Sequence, residues 1–230
     1  SLCPSITETL FDLGLGDLLI GRTDYCVHPA GKLNSVQSVG GPRDVSIIKV
    51  EMLCPDIILA VKEENAKKTV EILSSLHYKC FVFDVNSFSD GLKMIETIGR
   101  IFSIVYKARK LTDKITAKFK TFKGRTEKPH FLYMVWNSPY MAAGPGNYIN
   151  SLLSGLGFNN CLSSESEKYV TLPLKKMKNL SPDIVFLPSE PYCYKDHDKE
   201  EFEKIFPRSR VVLVDGEMFC WYGSRMLAAG

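Results

Sequence analysis

Four short stretches hold the residues best able to grip a ligand: TDYCVHP (23–29), WNSPYMAAGPGNY (136–148), SEPYCYKDHD (189–198) and DGEMFCWYGSR (215–225). Trp136, Tyr140, Tyr148, Tyr192, Trp221 and Tyr222 supply flat surfaces, most with a polar tip, which suit a large flat ligand better than a small ion. Arg225 can meet a carboxylate or another anionic group. His28, beside Tyr25 and Cys26, is a candidate axial metal ligand, and His197 with Glu190 is a second N/O pair. A lone loop histidine is more often solvated than coordinating, and an aromatic in a loop often only packs beneath it. The case for binding rests on the number of aromatics in these four stretches.

Acids mark two further places. Glu63 and Glu64 follow the apolar run IILAV, and Glu190 follows IVFLP; Glu200 and Glu201 open an amphipathic segment soon after. Carboxylates in a first helical turn are stabilised by the helix dipole at ~0.3–1 kcal/mol each, so such acids need no partner to account for them.

The elements that must position these residues alternate between short β-like runs and amphipathic helices, the pattern of an α/β fold with parallel-rich sheets. Strands are predicted at 18–21, 57–61, 80–83, 130–135, 184–187 and 211–214. Helices are predicted at 6–13, 46–53, 66–76, 148–156, 172–180 and 200–205. With strands in this order, the four stretches follow strand ends, where open α/β sheets bind ligands.

The chain also repeats itself. VSIIKVEMLCPDIILAVKE (45–63) lies over LPLKKMKNLSPDIVFLPSE (172–190) at an offset of 127 residues, matching Leu53 with Leu180, Pro55 with Pro182, Asp56 with Asp183 and Glu63 with Glu190. ITETLFDLG and INSLLSGLG align at an offset of 143, each closing on a Leu-Gly helix cap. Two similar lobes are implied. Between them, 89–122 carries apolar residues three or four apart from Leu92 to Phe122, predicting one helix of about 50 Å. Gly99 weakens that helix by ~1 kcal/mol relative to Ala, and KGRTEKP (123–129) ends it. The domains read as an N-terminal α/β lobe at 1–88, a connecting helix at 89–123 and a C-terminal α/β lobe at 124–230.

Composition excludes several classes. With 45% hydrophobic and 24% charged residues the chain is ordinary globular material, and a net charge of +3 gives no argument for nucleic acid. The basic residues between Lys107 and Lys128 have helical spacing and read as a solvated face. No run approaches the ~20 apolar residues of a membrane span. Seven scattered cysteines lack any C-x-x-C spacing. There is no G-x-S-x-G elbow, Walker loop, G-x-G-x-x-G or H-E-x-x-H, so an enzyme is not expected.

The opening SLCPSITETLFDLGLGDLLIGRT, the VGG at 39–41, CPDIILA, the mid-chain helix and the closing VDGEMFCWYGSR together resemble the helical-backbone, or class III, substrate-binding proteins of ABC importers, including cobalamin and iron-siderophore receptors. The resemblance spans nearly the whole chain. It implies two Rossmann-like lobes bridged by one long helix, with a ligand cleft between them and acids on each lobe docking onto the ABC permease. Carried over to this sequence, Glu63, Glu64, Glu200 and Glu201 become docking candidates. Glu64 and Glu201 are preferred, with Glu63 and Glu190 nearer the ligand. Tyr25, His28, Trp136, Tyr140, Tyr148, Glu190, Tyr192, Trp221, Tyr222 and Arg225 become ligand contacts. The implied ligand is a cobalt- or iron-containing chelate: a corrinoid, haem or a ferric siderophore. No resident cofactor is required. The chain is expected to be a monomer, a mature or trimmed fragment acting in the periplasm or anchored on the outer face of the membrane. Two other readings stand beside this one: a metal-chelatase-like enzyme with His28 or Glu190 as base, and a free zinc or manganese receptor, which needs three or more converging donors.

Overall fold

The computed structural model describes residues 1–121 and 127–229, and its chain divides into two compact units. The first comprises Ser1–Val85, Ser89–Ile115 and Trp221–Ala228; the second comprises Asn86–Phe88, the described part of Thr116–Cys220, and Ala229. The segment Trp221–Ala228 therefore belongs with the N-terminal unit rather than with the lobe that precedes it in sequence. Of the expected helix terminator at 123–129, residues 123–126 lie outside the described residues, as does Phe122 of the apolar stripe.

In the first unit, α1 (Pro4–Asp12) leads through a 3-10 turn to β1 (Gly21–Arg22), which pairs in parallel with β2 (Gln37–Ser38). Then come α2 (Ile47–Leu53), β3 (Ile57–Val61), α3 (Lys67–Ser75) and β4 (Lys79–Phe83), with β3 and β4 parallel. Ser46 caps α2 by accepting from the Lys49 amide. Val39, Val45, Val50, Ile58, Ala60 and Leu73 form the core of this unit. Of the strand expected at 18–21 only Gly21 is in a strand, β1; Leu18 ends the 3-10 turn and is 62% exposed.

The single long helix is instead two, α4 (Phe88–Ile101) and α5 (Val105–Lys120). Ser103 takes a left-handed φ of +56°, and the Ile104 amide reaches back to the Gly99 carbonyl while Ser103 reaches Arg100. That is a Schellman stop with serine in the glycine position. Gly99 is not a weak spot in a continuous helix. A Cβ there would stand 2.4 Å from the Ala108 Cβ, so its absence allows the first turn of α5 to pass close to the last turn of α4.

The second unit continues with β5 (His130–Asn137), β6 (Tyr140–Ala143), α6 (Tyr148–Gly155), β7 (Asn159–Asn160), β8 (Tyr169–Thr171) and α7 (Leu174–Met177), followed by β9 (Ile184–Pro188), α8 (Asp196–Ile205), β10 (Arg210–Val214) and α9 (Glu217–Cys220); the first unit's final helix is α10 (Met226–Ala229). Strand order is β10-β9-β5-β6-β8, with β7 also on β5. The β5, β7, β9 and β10 pairings are parallel, and β6 and β8 extend the sheet antiparallel. Both faces of β5 are buried: Leu132 and Met134 enter one cluster with Val185, Leu187 and Phe202, and Phe131, Tyr133 and Val135 enter another with Ile149 and Phe186. No helix among the described residues is long and apolar enough to cross a membrane.

The repeat is structural. β3 and β9 are five-residue strands with the same burial pattern at the offset of 127, each preceded by a helix and the Pro-Asp turn. The Leu-Gly caps are matching Schellman stops, with φ +76° at Gly14 and +92° at Gly157.

Candidate functional site

At the carboxyl end of β5, in the second unit, Trp136 is 43% exposed and meets Tyr192 edge to face at a centroid distance of 5.7 Å. Its indole N–H donates to the Ser138 carbonyl (3.1 Å), and Tyr192 continues onto Tyr194 at 4.6 Å. Beneath them Asn137 donates from Nδ2 to the Tyr192 hydroxyl (3.2 Å) and to Asp198 Oδ1 (3.1 Å). Asp198 is 1% exposed, and its other oxygen accepts the Lys195 amide at the start of α8. A buried carboxylate thus fixes an amide, which fixes a half-buried tyrosine. The loop expected after this strand is mostly a tight hairpin through Ser138 and Pro139 into β6. It carries Tyr140, whose hydroxyl donates to Glu201 and whose ring packs on Phe202; burial, then the Glu201 bond, push its pKa up to about 12.

Glu190, at the end of β9, accepts the Cys220 thiol at 3.1 Å and packs on Gly216, where a Cβ would lie 2.7 Å from the Glu190 backbone. Tyr133 is wholly buried in that region, its hydroxyl without a partner among the described residues and held well above the usual tyrosine range by burial. Tyr148 is also buried and is not displayed as a contact surface.

In the first unit the closing WYGSR segment packs on α1. Arg225 forms a two-point pair with Glu8, both contacts at 2.9 Å, and lies 5.2 Å over the Trp221 ring, whose other neighbour is the His28 ring at 5.5 Å. Burial raises the Glu8 carboxyl above its ordinary range even though Arg225 pulls it down. Gly223 has φ +78°, and a Cβ there would be 2.1 Å from Thr9 Oγ1, which accepts the Ser224 amide. Tyr222 is buried and donates to Glu64. Arg225, Trp221 and Tyr222 are therefore engaged in building this unit, and Arg225 already has its carboxylate. Tyr25, 66% exposed, stands apart on the loop after β1.

The acids divide. Glu64 does not point outward: its carboxylate accepts the Tyr222 hydroxyl at 2.7 Å beside Cys3, and burial pushes its pKa up. A docking acid must be reachable by a cation on another protein; Glu64 is half-buried with its carboxylate turned onto Tyr222, which leaves it less available than the exposed Glu200 and Glu201. Glu63 is half-buried, with its carbonyl accepting Arg43 at 2.7 Å. Glu200 and Glu201 are exposed, but in the middle of α8; the helix starts earlier and places Asp196 and Asp198 in its first turn.

Residues that sequence reasoning did not single out hold these parts in place. Asn137 and Asp198 brace Tyr192, and Glu8 engages Arg225. Asn65 is 4% exposed and ties three segments, accepting the Val61 amide and donating to the Leu2 and Pro42 carbonyls. The asparagine directly after two surface-like glutamates was the available signal for Asn65. Among the described residues no three His, Cys, Asp or Glu side chains gather so as to hold a metal ion.

The periplasmic binding protein family model matches residues 1–206. An uncharacterized ABC transporter substrate-binding lipoprotein of Bacillus subtilis is 28% identical over 196 residues, covering 80% of this chain and 61% of that one. The vitamin B12-binding protein of Vibrio parahaemolyticus is 22% identical over 191 residues, covering 81% and 68%. This chain thus spans roughly two thirds or less of those relatives. Among solved structures, the periplasmic heme-binding protein RhuT of Roseiflexus superposes with a TM-score of 0.85 at 16% identity, covering 99% of this chain and 92% of that one. The vitamin B12-binding protein BtuF of Vibrio cholerae gives 0.84 at 17%, covering 99% and 91%. Both agree with the α/β fold described above.

Proposed function

We propose, given that this chain belongs to the periplasmic binding protein family, that it is the substrate-binding component of an ABC importer and carries a metal chelate of corrinoid, haem or ferric-siderophore type. The observation that carries this reading is the surface formed by exposed Trp136 and half-buried Tyr192 at the carboxyl ends of β5 and β9, which are parallel, braced from below by Asn137 and Asp198. A ring system laid on that surface loses water from both faces of the contact, and the edge-to-face pair is held in place before the ligand arrives. The metal belongs to the cargo, so its donors come with the chelate. Relatives named for vitamin B12 and structural neighbours named for heme or vitamin B12 support the ligand class. Exposed Tyr25 and half-buried His28 offer a second set on the loop after β1, and Tyr140 flanks the first.

Docking to a permease falls to Glu200 and Glu201 in one unit and Glu63 in the other. The site of action is the outer face of the cytoplasmic membrane, in keeping with the periplasmic and lipoprotein relatives. A chelatase reading would need Glu190 or His28 as a base, and the Glu190 carboxylate is engaged by the Cys220 thiol. Titration with cyanocobalamin, haemin and a ferric catecholate in turn tests the proposal. One of them should shift its visible band and raise the melting temperature as RT ln(1 + [L]/Kd) requires. Failure of all three below ~100 µM, about −5.5 kcal/mol, overturns it.

A further inference from the structure

Helix α5 concentrates positive charge. Its sixteen residues hold Lys107, Arg109, Lys110, Lys114, Lys118 and Lys120 against one acid, Asp113, while the chain as a whole carries only +3, so the remainder is net acidic. Five lysines elsewhere sit in ion pairs: Lys62 with Asp84, Lys67 with Glu71, Lys93 with Asp90, Lys176 with Glu165 and Lys199 with Glu203; Lys49, Lys175 and Lys178 are unpaired among the described residues like those of α5 but are not gathered on one helix face. Arg109, Lys110 and Lys114 meet no carboxylate among the described residues. Lys107 lies over Gly14 at the end of α1 and has a local role.

The geometry of the helix sorts these residues. Ala108, Thr112, Ile115 and Phe119 are buried at helical spacing. The outward side presents Tyr106, Arg109, Lys110 and Lys114 around one exposed acid, Asp113, a net +2, with Val105 and Tyr106 exposed at 55% and 79% at its first turn. Cationic side chains beside an exposed tyrosine and valine match an interface with charged headgroups outside and acyl chains beneath. A nucleic-acid groove would be expected to recruit more aromatics along the basic run, and Tyr106 is the single aromatic on this side of the helix.

We propose that the outward face of α5 docks on an anionic lipid surface, through Arg109, Lys110 and Lys114 to phosphate headgroups and Tyr106 to the interfacial layer. This rests on the importer reading, which brings the protein beside a bilayer. Each basic side chain near such a surface contributes about fivefold to binding, and salt weakens the effect.

Co-sedimentation with vesicles of phosphatidylcholine containing about one-third phosphatidylglycerol, against phosphatidylcholine alone, tests it. The wild-type chain should partition to the anionic vesicles and leave them as salt rises. Reversal of three charges (Arg109→Glu, Lys110→Glu, Lys114→Glu) should weaken binding on the order of 100-fold or more, while Lys49→Glu, Lys175→Glu and Lys178→Glu together, equal in net charge, should cost under about threefold. Tyr106→Ser should cost several-fold. If the triple variant unfolds, Lys110→Gln and Lys114→Gln, at about fivefold each, replace it. Three results overturn the proposal: no preference for anionic vesicles, equal loss in both triples, or capture by heparin with none by vesicles. Vesicle binding by a chain that takes up none of the three chelates would refute the importer reading and leave this surface standing.

Discussion

The Tyr222 hydroxyl donates to Glu64 Oε1 at 2.7 Å, joining residues 158 apart in sequence inside one compact unit. The carboxyl sits above its ordinary value mainly because burial disfavours its charged form; the bonds from Tyr222 and Cys3 pull the other way and do not prevail.

That balance fixes a pH dependence. In the unfolded chain Glu64 loses its proton near 4.5, and in the folded chain it keeps it to higher pH, so the native state binds more protons in that window. Stability is greatest below the unfolded value, falls as pH rises through the folded value, and then levels. Glu64→Gln keeps an acceptor for Tyr222 and removes the titration. The stability of the variant relative to wild type should therefore rise between about pH 4 and pH 7, as followed by thermal melts. A relative stability that does not change with pH would show the carboxyl to be unshifted. Tyr222→Phe, which strips the buried carboxylate of a donor, should cost about 2 kcal/mol at neutral pH.

Trp136→Ala and Tyr192→Ala remove the two rings of the exposed pair, and each should weaken chelate binding by roughly 10- to 100-fold. Because Trp136 is nearly half exposed, its melting temperature should move little. Asp198→Asn should also weaken binding, through Tyr192, with a larger loss of stability because Asp198 caps α8 as well. Isothermal titration beside calorimetry separates the two effects. Equal affinity in wild type and Trp136→Ala would move the site elsewhere.

Two backbone positions should respond in opposite directions. Ser103 occupies a left-handed conformation that glycine adopts freely, so Ser103→Gly should stabilise by about 0.5–1 kcal/mol. Gly223→Ala meets both a positive φ and a contact 2.1 Å from Thr9 Oγ1, and should lose about 2–4 kcal/mol. Urea unfolding of the two variants checks the signs together.

Asn65→Leu keeps the volume and deletes three hydrogen bonds. It leaves the Val61 amide and the Leu2 and Pro42 carbonyls unpaired, a loss on the order of 3 kcal/mol. Hydrogen exchange at Val61 should accelerate more than exchange in β9 of the other unit.

Much of the frame was legible because burial writes itself into periodicity. IILAV and IVFLP are apolar throughout, since both faces of their strands are covered, and the Pro-Asp turns and Leu-Gly caps that bound them are local chemistry. The break between α4 and α5 was not legible. Residues 102–104 keep the apolar spacing of a helix, and what stops it is a serine in a conformation that sequence assigns to glycine.

The candidate residues divide for the same reason. Aromatics in strand-end stretches are visible as composition, so Trp136 and Tyr192 stand out as candidates in the sequence alone. Glu64 and Glu63 look alike in sequence. Which of them turns inward depends on a tyrosine that arrives 158 residues later, and no local pattern encodes that.

The last consequence concerns synthesis. Thr9 of helix α1 is made 215 residues before Ser224, and Glu8 217 residues before Arg225, with β5 to β10 of the second unit in between. A chain emerging from the ribosome therefore holds α1 without these partners until they follow. A nonsense mutation after Cys220 would thus wound a unit whose other parts were made long before, leaving β5, β9 and β10 intact and the N-terminal unit open to proteases.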